Sequence, residues 1–336
     1  MKISATLSIV VTALLFIHSA QAQTVDDIVP NFTPEQEADL GKAFGTYTSA
    51  TAVFTGRNSV SSGNFSFDNG GGDFEVTNLP LSYTFGEKGD ETRYRIRGAF
   101  GLFNSRSTDH TFSDAYAEAE PELPEELQGL VNEPDKRKDR ATSISLGGSI
   151  VYEPSAGLTI EPAFDVIWSH VKRRFEYNNF LSALVGSKYD RDLFNQSTES
   201  ISYSPSLAVD YDVPLGNGYS ITPSLLYTHF WTYDIWSKSR FANFEVDSGV
   251  LRTKMASNIP LPYTPLGVEM AVSPFVIRTQ LFGAVQNSLD ENALYDLGAD
   301  LVFTLKDAWL TKLYVGGAYI LADDLDGYRV NLWGEF

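Results

Sequence analysis

Histidine is the side chain best suited to proton transfer near neutral pH, and beyond residue 22 the chain has His110, His170 and His229. His170 has a serine hydroxyl beside it, Ser169. Adjacent residues on an extended strand point to opposite faces, so this pair has the wrong geometry for a nucleophile and its base. His229 shares a period-2 face with Tyr227 and Trp231, which suits a membrane rim better than acid–base work. Asp323 and Asp324 resemble half of a carboxylate pair, but no partner is identifiable. With no cysteine in 336 residues, thiolate catalysis, thiolate metal sites and disulfides are excluded. The acidic stretch 109–140 lacks the spacing of a calcium loop and, with its three prolines, reads as a flexible solvated excursion. No catalytic residue, cofactor or metal site is assigned, and an enzyme is not expected.

Two basic groups carry a different chemistry. Arg93, Arg95 and Arg97 alternate along one segment and must share a face. Acids on other alternating segments, Glu161, Asp165, Asp210 and Asp300 foremost, with Asp212, Glu269 and Asp296, are placed to meet them. Such a set is either a charged constriction that selects solutes or a network of internal ion pairs. The second group is Lys172, Arg173 and Arg174, which follow Trp168 after three residues. Against these stands a net charge of −18, from 25 Lys and Arg and 43 Asp and Glu. That balance argues against nucleic acid as a partner, since phosphates need a basic footprint.

The elements that must position these residues are strands. Tyr295, Leu297, Ala299, Leu301, Phe303 and Leu305 alternate with Asp296, Gly298, Asp300 and Thr304. Residues 157–169 and 200–213 repeat the pattern. Segments this long exceed the usual strand of a soluble sandwich and match what a tilted strand needs to cross a membrane. Twelve can be counted: 46–56, 72–86, 92–106, 141–153, 157–170, 198–213, 218–234, 240–256, 266–282, 292–305, 311–322 and 326–336. The odd-numbered connections include the three longest, 57–71, 107–140 and 171–197, and the even-numbered ones are short. This is the asymmetry of an outer-membrane barrel, with short inner turns, longer outer loops and both chain ends inside. Trp168, Trp231, Tyr233 and Trp236 fall at outer strand ends, and Tyr263, Trp309, Tyr314 and Phe336 near inner ends, where aromatic girdles belong. In this frame Lys172, Arg173 and Arg174 lie just above the outer interface, as a candidate contact for lipopolysaccharide phosphates or as a merely solvated cluster.

Before the strands, residues 1–22 have the form of an export leader: Lys2, an apolar run from Ile3 to Ile17, and Ala20-Gln21-Ala22, with cleavage expected after Ala22. Residues 23–45 form a pre-barrel segment, and 46–336 the barrel. Thr33, Pro34 and Gln36 make a capping box with proline at the first helical position. The short helix they start lies either in the lumen or in the periplasm.

At the other end Phe336 shares a face with Tyr328, Val330, Leu332 and Gly334. A terminal phenylalanine on an alternating last strand resembles the signal read by the outer-membrane barrel-assembly machinery. The repeats Ile160-Glu161-Pro162-Ala163-Phe164, Tyr203-Ser204-Pro205-Ser206-Leu207 and Ile221-Thr222-Pro223-Ser224-Leu225 resemble the strands of autotransporter β-domains, which are twelve-stranded barrels. The resemblance covers residues 33–336. With about 20 residues between the expected cleavage point and the barrel, the chain is similar to solitary autotransporter-like barrels without a passenger. That resemblance implies an all-β transmembrane antiparallel barrel, monomeric in the Gram-negative outer membrane, in contact with lipid, lipopolysaccharide and the assembly machinery. Its expected role is envelope structure or surface interaction. A small-solute channel is the alternative, with an outer-membrane hydrolase behind it.

Overall fold

The computed structural model describes residues 32–55, 60–67, 72–87, 89–120, 129–264, 268–305 and 311–335. The expected leader and its cleavage point, Trp309 and Phe336 therefore lie outside the described residues.

Chain order is α1 (Pro34–Thr55), β1 (Val60–Phe67), β2 (Asp73–Phe85), β3 (Thr92–Asp109), α2 (Thr111–Ala119), β4 (Asp135–Ser155) and β5 (Leu158–Glu176). Then follow α3 (Phe180–Tyr189) with a π-turn to Phe194, β6 (Ser197–Tyr211), β7 (Val213–Gly216), β8 (Tyr219–Ser237), β9 (Glu245–Pro260) and β10 (Glu269–Gly283). The chain ends with α4 (Ala284–Leu289), β11 (Ala293–Thr304), β12 (Lys312–Leu321) and β13 (Leu325–Glu335). Every strand pairs antiparallel with its neighbour. β1 closes on β13 and β6 pairs directly with β8, so twelve strands form a ring and the four-residue β7 is a short extra strand beside β8. Each strand of the ring is paired with both of its neighbours, the arrangement that lets strands stand in lipid. No described helix is long and apolar enough to cross a membrane; the strands do the crossing.

Alternation sorts the side chains. On β13, Tyr328, Val330 and Leu332 are about half exposed, whereas Arg329 and Asn331 are buried. On β2, Leu79, Leu81, Tyr83 and Phe85 face outward in the same way. This outward apolar belt has no protein partner because its partner is lipid. One end of the barrel carries the long connections 110–134, 177–196, 238–244 and 284–292, and the other carries tight turns such as 156–157 and 217–218. The long-loop end is the outer one. With 21 residues in β4 and 19 in β5, against the 9–11 or so that a tilted strand needs to cross, the wall continues well beyond the outer interface.

Three expectations are corrected. Residues 46–56 are not the first strand. They extend α1 to Thr55, and Val60–Phe67, expected as a loop, is β1. Thr48 and Thr51 turn their hydroxyls onto the carbonyls of Phe44 and Tyr47, at 2.8 and 3.2 Å, and so keep their polar groups satisfied within a helix. β1 was hidden because its polarity is inverted: Phe65 points into the lumen, while Asn64 and Ser66 are exposed. The 109–140 excursion is also built structure in part, since β3 and β4 stay paired up to Asp109 and Asp135. Phe112, Ala115 and Tyr116 then bury one face of α2 over the barrel mouth. Tyr314 leaves the inner girdle: it faces inward and stacks on Trp333, with ring centroids 3.5 Å apart.

Candidate functional site in the lumen

The lumen is filled from the outer end by α1. Its capping box forms as the sequence implied: Gln36 N–H donates to Thr33 Oγ1 at 3.3 Å, and Thr33 N–H donates to Gln36 Oε1 at 2.9 Å. Phe32, just before the cap, packs against Tyr189 and Phe241, with centroids 4.8 and 5.0 Å away. Leu40 and Phe44 join Phe112, Tyr116, Leu181, Val185 and Phe244 in one apolar cluster built from α2, α3 and the β8–β9 connection. The helix therefore starts at the outer mouth and lies in the lumen rather than in the periplasm. From Thr48 to Phe54 every side chain is buried. A helix buried on all sides belongs to an interior, and here that interior is the barrel.

Small residues set how closely it docks. A Cβ added at Gly41 would lie 2.8 and 2.9 Å from the carbonyl oxygens of Asn243 and Phe241. One added at Gly45 would lie 2.8 Å from the Phe244 ring and from Val246. A turn further, Ser49 and Ser248 share a hydrogen bond at 2.7 Å, and Ser248 Oγ also accepts from the Val285 amide at 3.0 Å. From β5 the Arg173 guanidinium lies over Phe44 and Tyr47, 5.7 and 5.2 Å from the centroids, while it pairs with the buried Asp139 at 3.1 Å. Below this the ring of Phe54 meets Phe65 and Phe74 at 5.9 and 5.6 Å.

Under the end of α1 lies a cavity of about 330 Å³, with Val53 at its roof and Arg97, Asp165, Asp210, Arg252, Lys254, Asp300, Arg329 and Asn331 among its lining. The arginines of β3 face inward and reach across β4 to acids on β4 and β5. Arg93 pairs with Glu153. Arg95 reaches Glu161 at 2.8 Å. Arg97 lies 3.8 Å from Glu161 and pairs with Asp165. Gly147 sits in register between Arg97 and Asp165, and a Cβ there would lie 2.1 Å from the Asp165 carboxylate; its lack of a side chain opens the path for that pair. Arg329 meets Asp296 at 3.2 Å, and Asn331 Nδ2 donates to Asp300 at 3.3 Å. The inward charges named here are thus ion-paired or hydrogen-bonded across neighbouring strands. Asp210 lines the cavity. Asp212 lies outside it and accepts from Thr222 at 2.9 Å.

The remaining candidates are dispersed. Ser169 is buried and His170 faces outward near Glu199, 3.6 Å away. His229 lies against Trp231, with centroids 4.8 Å apart. The amides of Asp323 and Asp324 donate to Glu291 at 3.2 and 2.7 Å, so those residues tie two outer connections together. Among the described residues no group of three His, Asp or Glu side chains could hold a metal ion. Lys172 and Arg174 are exposed, but Arg173 turns inward to α1 and is not placed for a contact outside the wall. Sequence reasoning missed the docking face of α1; its trace was the four-residue spacing of Gly41, Gly45 and Ser49.

Residues 71–332 match the family described as the solitary outer membrane autotransporter beta-barrel domain. The chain belongs to that family. Its place is accordingly the Gram-negative outer membrane. No curated protein matches in sequence. Among solved structures, the β-domain of the Bordetella autotransporter BrkA is similar at 12% identity and a TM-score of 0.53, over 82% of this chain and 96% of that one. The translocator domain of the autotransporter NalP from Neisseria meningitidis is 10% identical with a TM-score of 0.48, over 90% of this chain and 100% of that one. At these identities the first likeness speaks for the fold of this solitary autotransporter barrel and nothing finer.

Proposed function

We propose that this barrel is a closed envelope protein, structural or engaged in surface interaction, rather than an open solute channel. The observation that carries the reading is the fit of α1: Gly41 and Gly45 leave no room for a Cβ against the wall, and Thr48–Phe54 is buried throughout. A helix held this closely leaves the 330 Å³ cavity roofed on its outer side. The outer mouth, built by α1, α2, α3 and the β8–β9 connection, is then the surface presented outside the cell. The reading includes export by a leader cleaved after Ala22, monomeric insertion by the assembly machinery with Phe336 as its docking residue, and no catalytic role.

Planar-bilayer recording tests it. The full-length barrel is expected to give no stable open current, and a variant lacking Pro34–Thr55 is expected to give one, with selectivity set by the ion-paired lining. A steady current through the intact protein would overturn the closed reading and favour a small-solute channel with a charged lumen.

A further inference from the structure

The strands of one wall carry a second feature, independent of whether the pore conducts. Arg106 on β3, Lys136, Lys138 and Arg140 on β4, and Lys172 and Arg174 on β5 are all exposed. Pairing sets them in rows. Arg106, Lys138 and Arg174 stand side by side across three strands, and Arg140 stands beside Lys172 in the row below. Neighbouring strands are about 4.8 Å apart and alternate residues about 7 Å, so five cations gather in two adjoining rows. Like charges placed opposite one another on a sheet repel. None of the six has an ion pair to another described residue. Of the bordering acids, Asp73 accepts from Ser66 Oγ at 2.6 Å, Glu199 faces Trp168 and His170, and Glu176 stands opposite Lys136 in the outermost row.

The level of the patch identifies what neutralises it. Immediately inward is the row of Thr142 and His170, then Ile144 and Trp168, which open the apolar belt. Five cations thus sit on the outward face of the wall, two and three rows above the aromatic row of Trp168, on the side of the wall where headgroups lie. In a chain of net charge −18 this concentration is local. Arginine and lysine together suit phosphate, the former by paired hydrogen bonds.

We infer that the outward face of β3–β5 binds the phosphorylated saccharolipid of the outer leaflet, lipopolysaccharide, through Arg106, Lys138, Arg140, Lys172 and Arg174. The site keeps two of the three residues first suspected and replaces Arg173, which serves α1, with cations from the two preceding strands.

The test uses the full barrel refolded in lipopolysaccharide-free detergent and titrated with bis-phosphorylated lipid A. Lipid A without phosphates, inorganic phosphate and phosphatidylglycerol micelles serve as separate arms. Binding is expected for the phosphorylated lipid A alone. It should weaken on the order of tenfold or more in Arg106→Ala/Lys138→Ala/Arg174→Ala and persist in Arg191→Ala/Lys238→Ala, whose exposed bases lie in outer connections. Heat-modifiable migration, retained in both variants, separates lost binding from lost folding. Should the triple variant fail to fold, the milder Lys138→Gln/Lys172→Gln takes its place with the same weakening expected. Equal binding by folded wild type and variant, or equal binding of phosphatidylglycerol or of inorganic phosphate, would overturn the inference.

Discussion

Leucine at both Gly41 and Gly45 is expected to turn a closed barrel into a conducting one. The added atoms have nowhere to go. At Gly41 the obstacles are two backbone carbonyls, which cannot swing aside as the tip of a side chain can, and at Gly45 they are a buried ring and a valine methyl, all within 2.9 Å of the first added carbon. Overpacking of this kind costs about 1–3 kcal/mol per site, and both sites press on the same stretch of wall, residues 241–246. Helix propensity runs the other way, since leucine is better than glycine by several tenths of a kcal/mol or more. The variant therefore separates docking from helix formation: a stronger helix that no longer seats. The wall is closed by its own strand ladders, so heat-modifiable migration should survive while open-channel events appear. Unchanged silence in the bilayer, with the barrel folded, would mean that α1 is not what closes the lumen.

The second large effect concerns lipid. Val330 and Asn331 are neighbours on β13, yet Val330 is 56% exposed on the lipid face and Asn331 is 5% exposed beside Asp300. Lysine at position 330 places a cation in the apolar belt, at a cost of roughly 2–4 kcal/mol near the midplane. Lysine at position 331 places the same cation beside a carboxylate in a polar cavity. Val330→Lys should therefore accumulate as uninserted, protease-sensitive chain, while Asn331→Lys inserts. The fraction of heat-modifiable protein in outer membranes measures this, and equal insertion would put the register of β13 in error.

What was legible in the sequence follows the physics of each element. Strands bathed in lipid on one side and charge on the other announce themselves by period 2, so 292–305 and 326–336 are read within a few residues of β11 and β13. The inward arginines and two of their acids, Glu161 and Asp165, are legible for the same reason, whereas Glu153, which pairs with Arg93, was not foreseen and Asp296 meets Arg329 instead. The sites where α1 meets the wall were not. There lipid does not set the pattern: β1 turns its aromatics inward to receive Phe54, and 46–55 is a helix rich in Thr, Ser and Ala that is stable because the barrel surrounds it. Glycine spacing, usually a weak signal, holds the decisive contact. Arg173 was misread because only the tertiary structure shows that the odd residues of β5 face a helix rather than water.

The central claim, that α1 lies inside the barrel against β9, has a direct measurement because the protein has no cysteine of its own. Ser49 and Ser248 stand with their hydroxyl oxygens 2.7 Å apart, close enough for a disulfide once both are cysteine. In cells carrying Ser49→Cys/Ser248→Cys, mild oxidation should give a nearly quantitative internal crosslink, seen as a reductant-sensitive shift of the denatured chain, with the inserted barrel intact. A properly inserted double variant that forms no crosslink, and whose introduced thiol on α1 is freely labelled from the aqueous phase, would contradict the account.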